Sequence, residues 1–264
     1  MAVAAFSVLG PLEVCLNGVV VPVQSPSQRV VLAALLMKPN HLVPSAELAA
    51  ALWGTCPPPS ERVTLQNHVK RLRQVLADIA HVRIVTTPPG YTIRVATDEL
   101  DVLQFDVLYH SALDATRVEA WDRAAKELRI ALSLWRGEPL ANVPSELLTV
   151  RDVPALGEAL LQAQEARVEA DLHLGRHGPL IAELHKLIAT HPFRERLRGL
   201  LMKALCLDGQ QAAALAVYRD TRQLLVQELG IEPGHDLRQL EQRVLRSEPV
   251  LHNRRSSEPS TLVS

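Results

Sequence analysis

Apolar residues in the first hundred positions follow two different periodicities. Over 3–23 they alternate or form short β-prone runs around an Asn-Gly pair at 17–18, a pattern typical of a β-hairpin. From Pro26 the spacing becomes helical, and this helix is predicted to end at Pro39. A second helix is predicted over 45–53. This part of the chain therefore passes from strands to helices.

The third predicted helix, over 60–80, has one apolar stripe and one polar face. Its apolar residues recur at helical spacing, so one side can pack against a core while the other stays free. We expect Ser60 to cap the start of this helix. The apolar positions are Leu65, Val69, Leu72, Leu76 and Ile79, and the polar positions opposite them are Asn67, Lys70, Arg71 and Gln74.

Two features flank the third predicted helix. The preceding segment, 54–59, ends in three consecutive prolines and is predicted to be a stiff loop. After the helix, 82–87 and 91–95 are β-prone runs separated by Pro-Pro-Gly, which predicts two short strands joined by a tight turn. The predicted order up to residue 97 is strands, three helices and a hairpin.

From about residue 100 the strand pattern gives way to amphipathic helices separated by Gly and Pro. Gly175 and Gly209 are 34 residues apart, and each precedes an apolar helical stretch, which is the period of tetratricopeptide repeats. The polar end of the chain, 249–264, is predicted to be a disordered tail. The predicted helices are 120–135, 154–174, 180–189, 194–207 and 211–229.

Charge is unevenly distributed along the chain. The 264 residues include 28 Lys and Arg against 29 Asp and Glu, which gives a net charge of −1. Residues 1–97 contain eight of the basic and four of the acidic residues, a net charge of +4, and the remainder therefore has a net charge of −5. A positive part beside a negative part is typical of a protein whose positive part binds a polyanion.

The basic helix over 60–80 carries the residue types that a DNA recognition helix requires. The major groove is about 12 Å wide and admits a helix whose outer face presents hydrogen-bond donors. Asn pairs with adenine and Arg with guanine, whereas Lys and Thr suit phosphate oxygens. Basic solvated faces are also common on ordinary surface helices, so composition alone leaves both interpretations open.

The order of these elements and their motifs resembles a known family. The segment VTLQNHVKRLR at 63–73, followed by Pro-Gly-Tyr at 89–91, resembles the winged helix of OmpR-type regulators. The segment ALSLWRGEPL at 131–140 resembles a bacterial transcriptional activator domain. Together they resemble the Streptomyces antibiotic regulatory protein (SARP) family over roughly 5–247. The fold that this implies is mostly α, with an α+β winged helix-turn-helix DNA-binding domain over 1–97 and an all-α, tetratricopeptide-like activator domain over 98–248.

The resemblance also implies a function and partners. Family members activate antibiotic-biosynthesis genes by binding direct repeats in double-stranded promoter DNA near the −35 element, and they recruit RNA polymerase holoenzyme through its sigma factor. Direct repeats suit a head-to-tail dimer on DNA with half-sites about one helical turn apart. In OmpR-type domains the loop before the recognition helix can contact polymerase, and the residues in that place here are Gly54, Thr55, Pro57, Pro58 and Pro59.

One departure from the family is Pro44, where relatives usually have a capping Ser or Thr; it leaves the cap of the second helix to Ser45.

Candidate DNA contacts follow from a helix docked in the major groove beside a wing. The candidates for base contacts are Asn67, Lys70, Arg71 and Gln74. The candidates for contacts with the DNA backbone are Arg62, Thr64, His68, Arg73, Thr86, Thr87, Tyr91 and Arg94.

Other classes of function have less support in the sequence. A scaffold whose helical part binds a partner peptide remains an alternative. We expect no enzymatic activity, no catalytic residues and no cofactor, because no catalytic arrangement or phosphate-binding loop stands out. We expect no metal site, because His173 and His177 lack an evident third ligand. The chain lacks an apolar run of membrane-spanning length, so we expect a cytoplasmic, nucleoid-associated protein without a membrane partner.

Overall fold

The computed structural model describes residues 6–16, 18–77 and 83–251. Several predicted features lie partly outside these ranges: residue 17 of the hairpin turn, residues 78–80 of the third helix with Ile79, residue 82 of the first wing strand, and 252–264 of the tail. Packing divides the chain into two compact units, which are Met1–Asp114 with Lys126–Gln164, and Ala115–Ala125 with Glu165–Ser264.

The first unit contains the predicted order of strands, helices and hairpin. Its two small sheets are antiparallel, with strand orders β1-β2-β3 and β4-β6-β5. The short strand β4 and its pairing with β6 were not predicted. The elements are β1 (Phe6–Ser7), β2 (Glu13–Leu16), β3 (Val19–Val21), α1 (Pro26–Leu36), β4 (Val43–Pro44), α2 (Ser45–Trp53), α3 (Glu61–Val75), β5 (Arg83–Thr87) and β6 (Gly90–Arg94).

Helix α1 forms the centre of the first unit. Every residue from Val30 to Leu36 is buried, and α1 packs against both α2 and α3. A helix that is apolar on all sides must be covered on all sides, which explains why α2, α3 and strand β6 surround it. Helix α3 is therefore held by its apolar stripe against a fixed support.

Neither predicted capping side chain bonds the start of its helix, although Ser60 does occupy the N-cap position of α3. Ser60 has a turn conformation with φ −93° and ψ 14°, whereas a capping side chain needs extended backbone, and its hydroxyl lies 3.4 Å from the Thr64 hydroxyl. Helix α2 does begin at Ser45, but the residue in the cap position is Pro44, and the Ser45 N–H donates to the Pro89 carbonyl. Both helices start as predicted to within a residue, for reasons other than the predicted ones.

Residues beyond the predicted boundary at residue 97 pack into the core of the first unit. The buried Asp101 carboxylate accepts hydrogen bonds from the backbone N–H groups of Val8 and Leu9, at 2.9 and 3.0 Å. The Asn142 amide bonds the backbone of Leu12 in both directions. The predicted domain boundary at residue 97 therefore differs from the boundary between the two compact units. That residues 1–97 form an independently folding domain stays a prediction.

Helix α6 (Glu146–Arg151) supports α2 from the same region of the chain. Its capping residue, Ser145, donates its hydroxyl to the Ala51 carbonyl at 2.7 Å. Leu148 is buried in the same core as α1. On the surface, Arg151 forms an ion pair with Glu47, which also pairs with Lys38. The start and the end of α2 are therefore both tied to α6.

Replacing Glu47 with glutamine is expected to reduce stability modestly at neutral pH, by about 1 kcal/mol or less, since partly exposed ion pairs are screened. Burial raises the pKa of Glu47, but its bonds with Lys38 and Arg151 outweigh this and leave the pKa below its ordinary value. A carboxyl with a lowered pKa stabilises the fold above its unfolded pKa, and this contribution disappears as pH falls through the folded pKa. The free energies of unfolding of the two proteins, measured with urea between pH 7 and pH 3, should therefore become equal at acid pH. Identical curves at neutral pH would contradict the pairing.

The chain after residue 100 is helical. Its helices are α4 (Asp101–Arg117), α5 (Trp121–Ser133), α6, α7 (Val153–His173), α8 (Gly178–Thr190), α9 (Glu195–Leu207), α10 (Gln211–Leu229) and α11 (His235–Leu245). The five predicted helices are all present, whereas α4, α6 and α11 were not predicted. In the second unit, α9 packs against α8, α10 and α11.

The 34-residue spacing of Gly175 and Gly209 corresponds to a repeated way of ending a helix. Both glycines have left-handed backbone, with φ 74° and 77°. After each, a backbone N–H bonds the carbonyl five residues earlier: Arg176 to Asp171 at 2.9 Å, and Gln210 to Leu205 at 2.8 Å. This is the hydrogen bond of a Schellman C-terminal motif. Gly175 and Gly209 therefore end α7 and α9 in the same way.

Candidate nucleic-acid interface

Helix α3 has a buried side and an exposed side, as predicted. The four described residues of its apolar stripe, which end at Leu76, are all buried in the core of the first unit. An α-helix has 3.6 residues per turn, so the residues at the opposite side follow the same spacing. We call them the outer strip; they are Val63, Asn67, Lys70 and Gln74, and all four are exposed.

Three of the four outer-strip residues are predicted base contacts, and Val63 was missed. Its side chain is 59% exposed. The sequence prediction considered only polar residues as base contacts, although helical spacing places Val63 in line with the other three residues of the outer strip. Arg71, the fourth predicted base contact, is also exposed and lies to one side of the strip, on the same flank as Thr64 and His68.

His68 lies between the exposed flank and the core. Burial lowers the pKa of His68, and the nearby positive charge of Arg71 lowers it further. In the free chain the imidazole is therefore mainly neutral at pH 7. Its Nδ1 is buried and has no hydrogen-bond partner among the residues that the structure describes.

Arg73 connects α3 to the hairpin β5–β6, the wing. Its guanidinium donates to the Ile84 carbonyl and to the Thr86 hydroxyl, each at 2.8 Å. Two residues predicted to contact DNA thus bond each other, which sets the position of the wing beside α3. We assign Arg73 a positioning role.

Tyr91, predicted to contact the DNA backbone, is largely buried. Its side chain is only 7% exposed and belongs to the core of the first unit. The first four residues of β6 are all buried, and Tyr91 also lines a cavity between α3 and the wing. The wing instead exposes Thr86 and Arg94, with Thr87 half-buried.

Arg83 is a wing residue that the predictions missed. It lies directly across from Arg94 in the β5–β6 register, and both are exposed. Like charges in a direct cross-strand pair destabilise a sheet. A polyanion would relieve this repulsion, so the pair indicates a surface suited to phosphate.

Most of the basic residues in 1–97 that hold no structural bond lie on α3 and the wing. Arg29 bonds the Val23, Gln24 and Asn142 carbonyls, Lys38 pairs with Glu47, and Arg73 holds the wing. The acidic residues Glu13 and Glu47 are neutralised by Arg136 and by Lys38 and Arg151. Five cations have no ion-pair partner within the described ranges, and they are Arg62, Lys70, Arg71, Arg83 and Arg94.

A solvent-open cavity of about 450 Å³ separates the start of α3 from the wing. Arg62 and Gln66 line it from α3, and Thr86 lines it from β5. The cavity thus has hydrogen-bond donors on both sides, and the Glu61 carboxylate and Ser45 of α2 also line it.

The loop between α2 and α3 is exposed along most of its length. Gly54 ends α2 with φ 61°, and its N–H donates to the Ala50 carbonyl at 2.8 Å. Thr55, Pro57 and Pro59 are exposed, and Pro58 is half-buried. The loop starts from the end of α2 that α6 supports, so residues after 97 help to fix its position.

The described residues hold neither a metal-binding cluster nor a membrane-spanning helix. No group of three or more His, Cys, Asp or Glu side chains converges there to hold a metal ion. His173 stacks on Trp121 with ring centroids 3.7 Å apart, whereas His177 lies 3.5 Å from Asp208. None of the helices in the described part of the chain is both long enough and apolar enough to cross a bilayer.

Two family models match the chain on either side of residue 97. The transcriptional regulatory protein C-terminal family matches residues 23–93, and the bacterial transcriptional activator domain matches residues 100–245. The first match covers α1 to β6, which includes α3 and the wing. The second covers more than half of the chain.

Known proteins are similar over nearly the whole chain. Regulatory protein AfsR of Streptomyces coelicolor is 42% identical over 247 residues, which is 93% of this chain but 24% of AfsR. Regulatory protein DnrI of Streptomyces peucetius is 35% identical over 251 residues, or 92% of each chain. The solved structure of Mycobacterium tuberculosis EmbR in complex with a low affinity phosphopeptide has a TM-score of 0.88 and 33% identity, covering 92% of this chain and 65% of that one.

The similarity to the EmbR structure confirms the predicted fold class. AfsR and DnrI are named as regulatory proteins and EmbR as a transcriptional regulatory protein, which confirms the expectation that the chain is not an enzyme. The chain spans about a quarter of AfsR and about two thirds of EmbR. It belongs to the Streptomyces antibiotic regulatory protein family and is a transcriptional regulator of that type.

Proposed function

We propose that this chain activates transcription by docking α3 in the major groove of promoter DNA. The observation that carries the proposal is the outer strip of α3, which contains one of the five cations without ion-pair partners among the described residues and is flanked by the other four. A helix fixed by its apolar side and presenting donors on the other is the geometry that reads base edges.

The proposed roles of the side chains follow their positions on α3. Asn67 and Arg71 read bases, because amide and guanidinium groups form paired bonds with adenine and guanine. Lys70 and Gln74 flank them. Contacts with the DNA backbone come from the edge of the helix and from the wing. We propose Arg62, Thr64, His68, Arg83, Thr86, Thr87 and Arg94 for these contacts.

The site is proposed to act on direct repeats near the −35 element of promoters of antibiotic or other secondary-metabolite genes. The similarity to AfsR and DnrI supports this target class. A head-to-tail pair of protomers fits direct repeats, because successive half-sites one helical turn apart face the same side of the duplex.

The loop at 54–59 is proposed to contact RNA polymerase holoenzyme, including its sigma factor. Its exposure and its place immediately before the recognition helix support this proposal. When α3 lies in the groove, the loop lies at the edge of the DNA, where polymerase bound at the −35 element is within reach.

Replacing Arg71 with alanine is expected to weaken binding to the cognate promoter by about 1–3 kcal/mol and to relax the preference at one base position. Mobility-shift titrations with promoter and random DNA at several salt concentrations measure both effects. For the unaltered chain, affinity should fall steeply with salt, by one increment for each phosphate contact.

Arg246→Ala is the matched control, because it removes the same charge from an exposed arginine outside the winged helix. It should bind as the unaltered chain does. If Arg71→Ala also bound promoter and random DNA unchanged, α3 would not be the recognition helix. A flat salt response would instead favour the protein-scaffold alternative.

A further inference from the structure

We infer that Val63 reads the 5-methyl group of a thymine in the half-site, next to the base read by Asn67. This inference rests on the proposed docking of α3 in the major groove. It adds an apolar contact to a recognition surface that otherwise consists of hydrogen-bonding groups.

Val63 has the position of a base-reading residue. It is at the N-terminal end of the outer strip, one helical turn before Asn67. In helix-turn-helix proteins the N-terminal residues of the recognition helix contact base edges. One turn of helix rises 5.4 Å and one base pair rises 3.4 Å, so Val63 falls one or two base pairs from the Asn67 contact.

Packing within the first unit does not account for Val63. Its side chain is 59% exposed, while the apolar stripe of α3 faces the opposite side of the helix. An exposed valine is no evidence of function by itself, because apolar atoms are common on protein surfaces. What distinguishes Val63 is its place in line with three polar residues that face the same direction.

The chemistry of the major groove offers one partner for such a side chain. The thymine methyl is the apolar group on the base edges of unmodified DNA, and contact with aliphatic side chains is an established way to read it. Cytosine carries only a hydrogen at the corresponding C5 position, so it offers the valine no methyl group to contact. Val63 therefore favours thymine.

The test removes either the methyl group of the thymine or the two methyl groups of Val63. A DNase footprint first locates the half-site that the chain protects. Each thymine in this half-site is then replaced in turn by deoxyuridine, which lacks only the methyl. Binding is measured for the unaltered chain and for Val63→Ala. We expect one position at which deoxyuridine weakens the unaltered chain roughly three- to tenfold and leaves Val63→Ala unchanged. Val107→Ala, a similarly exposed valine on α4, is the control and should show the same deoxyuridine response as the unaltered chain.

The outcomes separate this inference from the proposed function. If deoxyuridine has the same effect on both proteins at every position, while Arg71→Ala still weakens binding, the Val63 assignment is wrong and the docking of α3 stands. If the chain does not bind promoter DNA at all, both fail. Coupling at a single thymine supports both.

Discussion

Gly90→Ala is expected to destabilise the first unit by roughly 3 kcal/mol or more. A Cβ at this position would lie 2.0 Å from the Val43 carbonyl oxygen and 2.7 Å from the Pro44 Cα. Both atoms belong to the backbone of β4, which pairs with β6 at this point, so no flexible side chain can move aside. Ordinary overpacking costs about 1–3 kcal/mol, and a clash between backbones costs at least that much.

Urea unfolding followed by circular dichroism measures this effect. Gly157→Ala on α7 is the matched control, since no described atom lies within 4 Å of the Cβ that it adds. Alanine in a helix is favoured over glycine by up to about 1 kcal/mol, so this control should be more stable than the unaltered chain. An unchanged midpoint for Gly90→Ala would show that β4 and β6 do not approach as closely as described.

The second large effect is expected at Asp101. Asp101→Ala should lose about 3 kcal/mol, because the backbone N–H groups of Val8 and Leu9 would stay buried without an acceptor. Asp101→Asn keeps one carbonyl oxygen and should lose less. Thermal or urea unfolding at acid pH should therefore show that the unaltered chain is the most stable, Asp101→Asn less stable and Asp101→Ala the least stable.

The pH dependence at Asp101 has the opposite sign to that at Glu47. Burial raises the pKa of Asp101, although the hydrogen bonds from Leu9 and Val8 partly offset it. A carboxyl with a raised pKa contributes its full stability below its unfolded pKa and loses part of it as pH rises through the folded pKa. The advantage of Asp101 over the Asn variant should thus shrink as pH rises from 3. A growing advantage would contradict the assignment.

Periodic features of the chain were predictable from the sequence. The apolar stripe of α3 and the 34-residue spacing of Gly175 and Gly209 both depend on local repetition, and both correspond to structure. The free face of α3 followed from the same stripe. Local periodicity is reliable here because each helix buries the face that its own spacing defines.

Contacts between distant polar residues were not predictable. Asp101 and Val8 are 93 residues apart, and Asn142 and Leu12 are 130 apart. Asp101 begins a helix and Asn142 lies in a turn, and a single polar residue in either place carries no periodic signal that would identify its partner. The burial of Tyr91 was missed for a related reason, since the pairing of β6 with both β4 and β5 is not visible in the local sequence.

Val63 shows the limit of hydrophobicity as a guide to function. Helical spacing alone places Val63 on the free face of α3, but an apolar residue was not considered as a DNA contact, and the structure shows that its side chain is exposed. Arg83 was missed similarly, because its importance lies in the register that sets it across from Arg94. These two residues extend the proposed interface beyond the predicted set.

Methylation interference on the promoter bound by this chain tests the central claim most directly. Methyl groups on guanine N7 block major-groove contacts while leaving the minor groove and the phosphates intact. We predict that methylation inhibits binding at one or more guanines in each half-site, and that Arg71→Ala loses this sensitivity at one of them. A complex whose binding is unaffected by guanine N7 methylation throughout the protected region would contradict a major-groove recognition helix at Glu61–Val75.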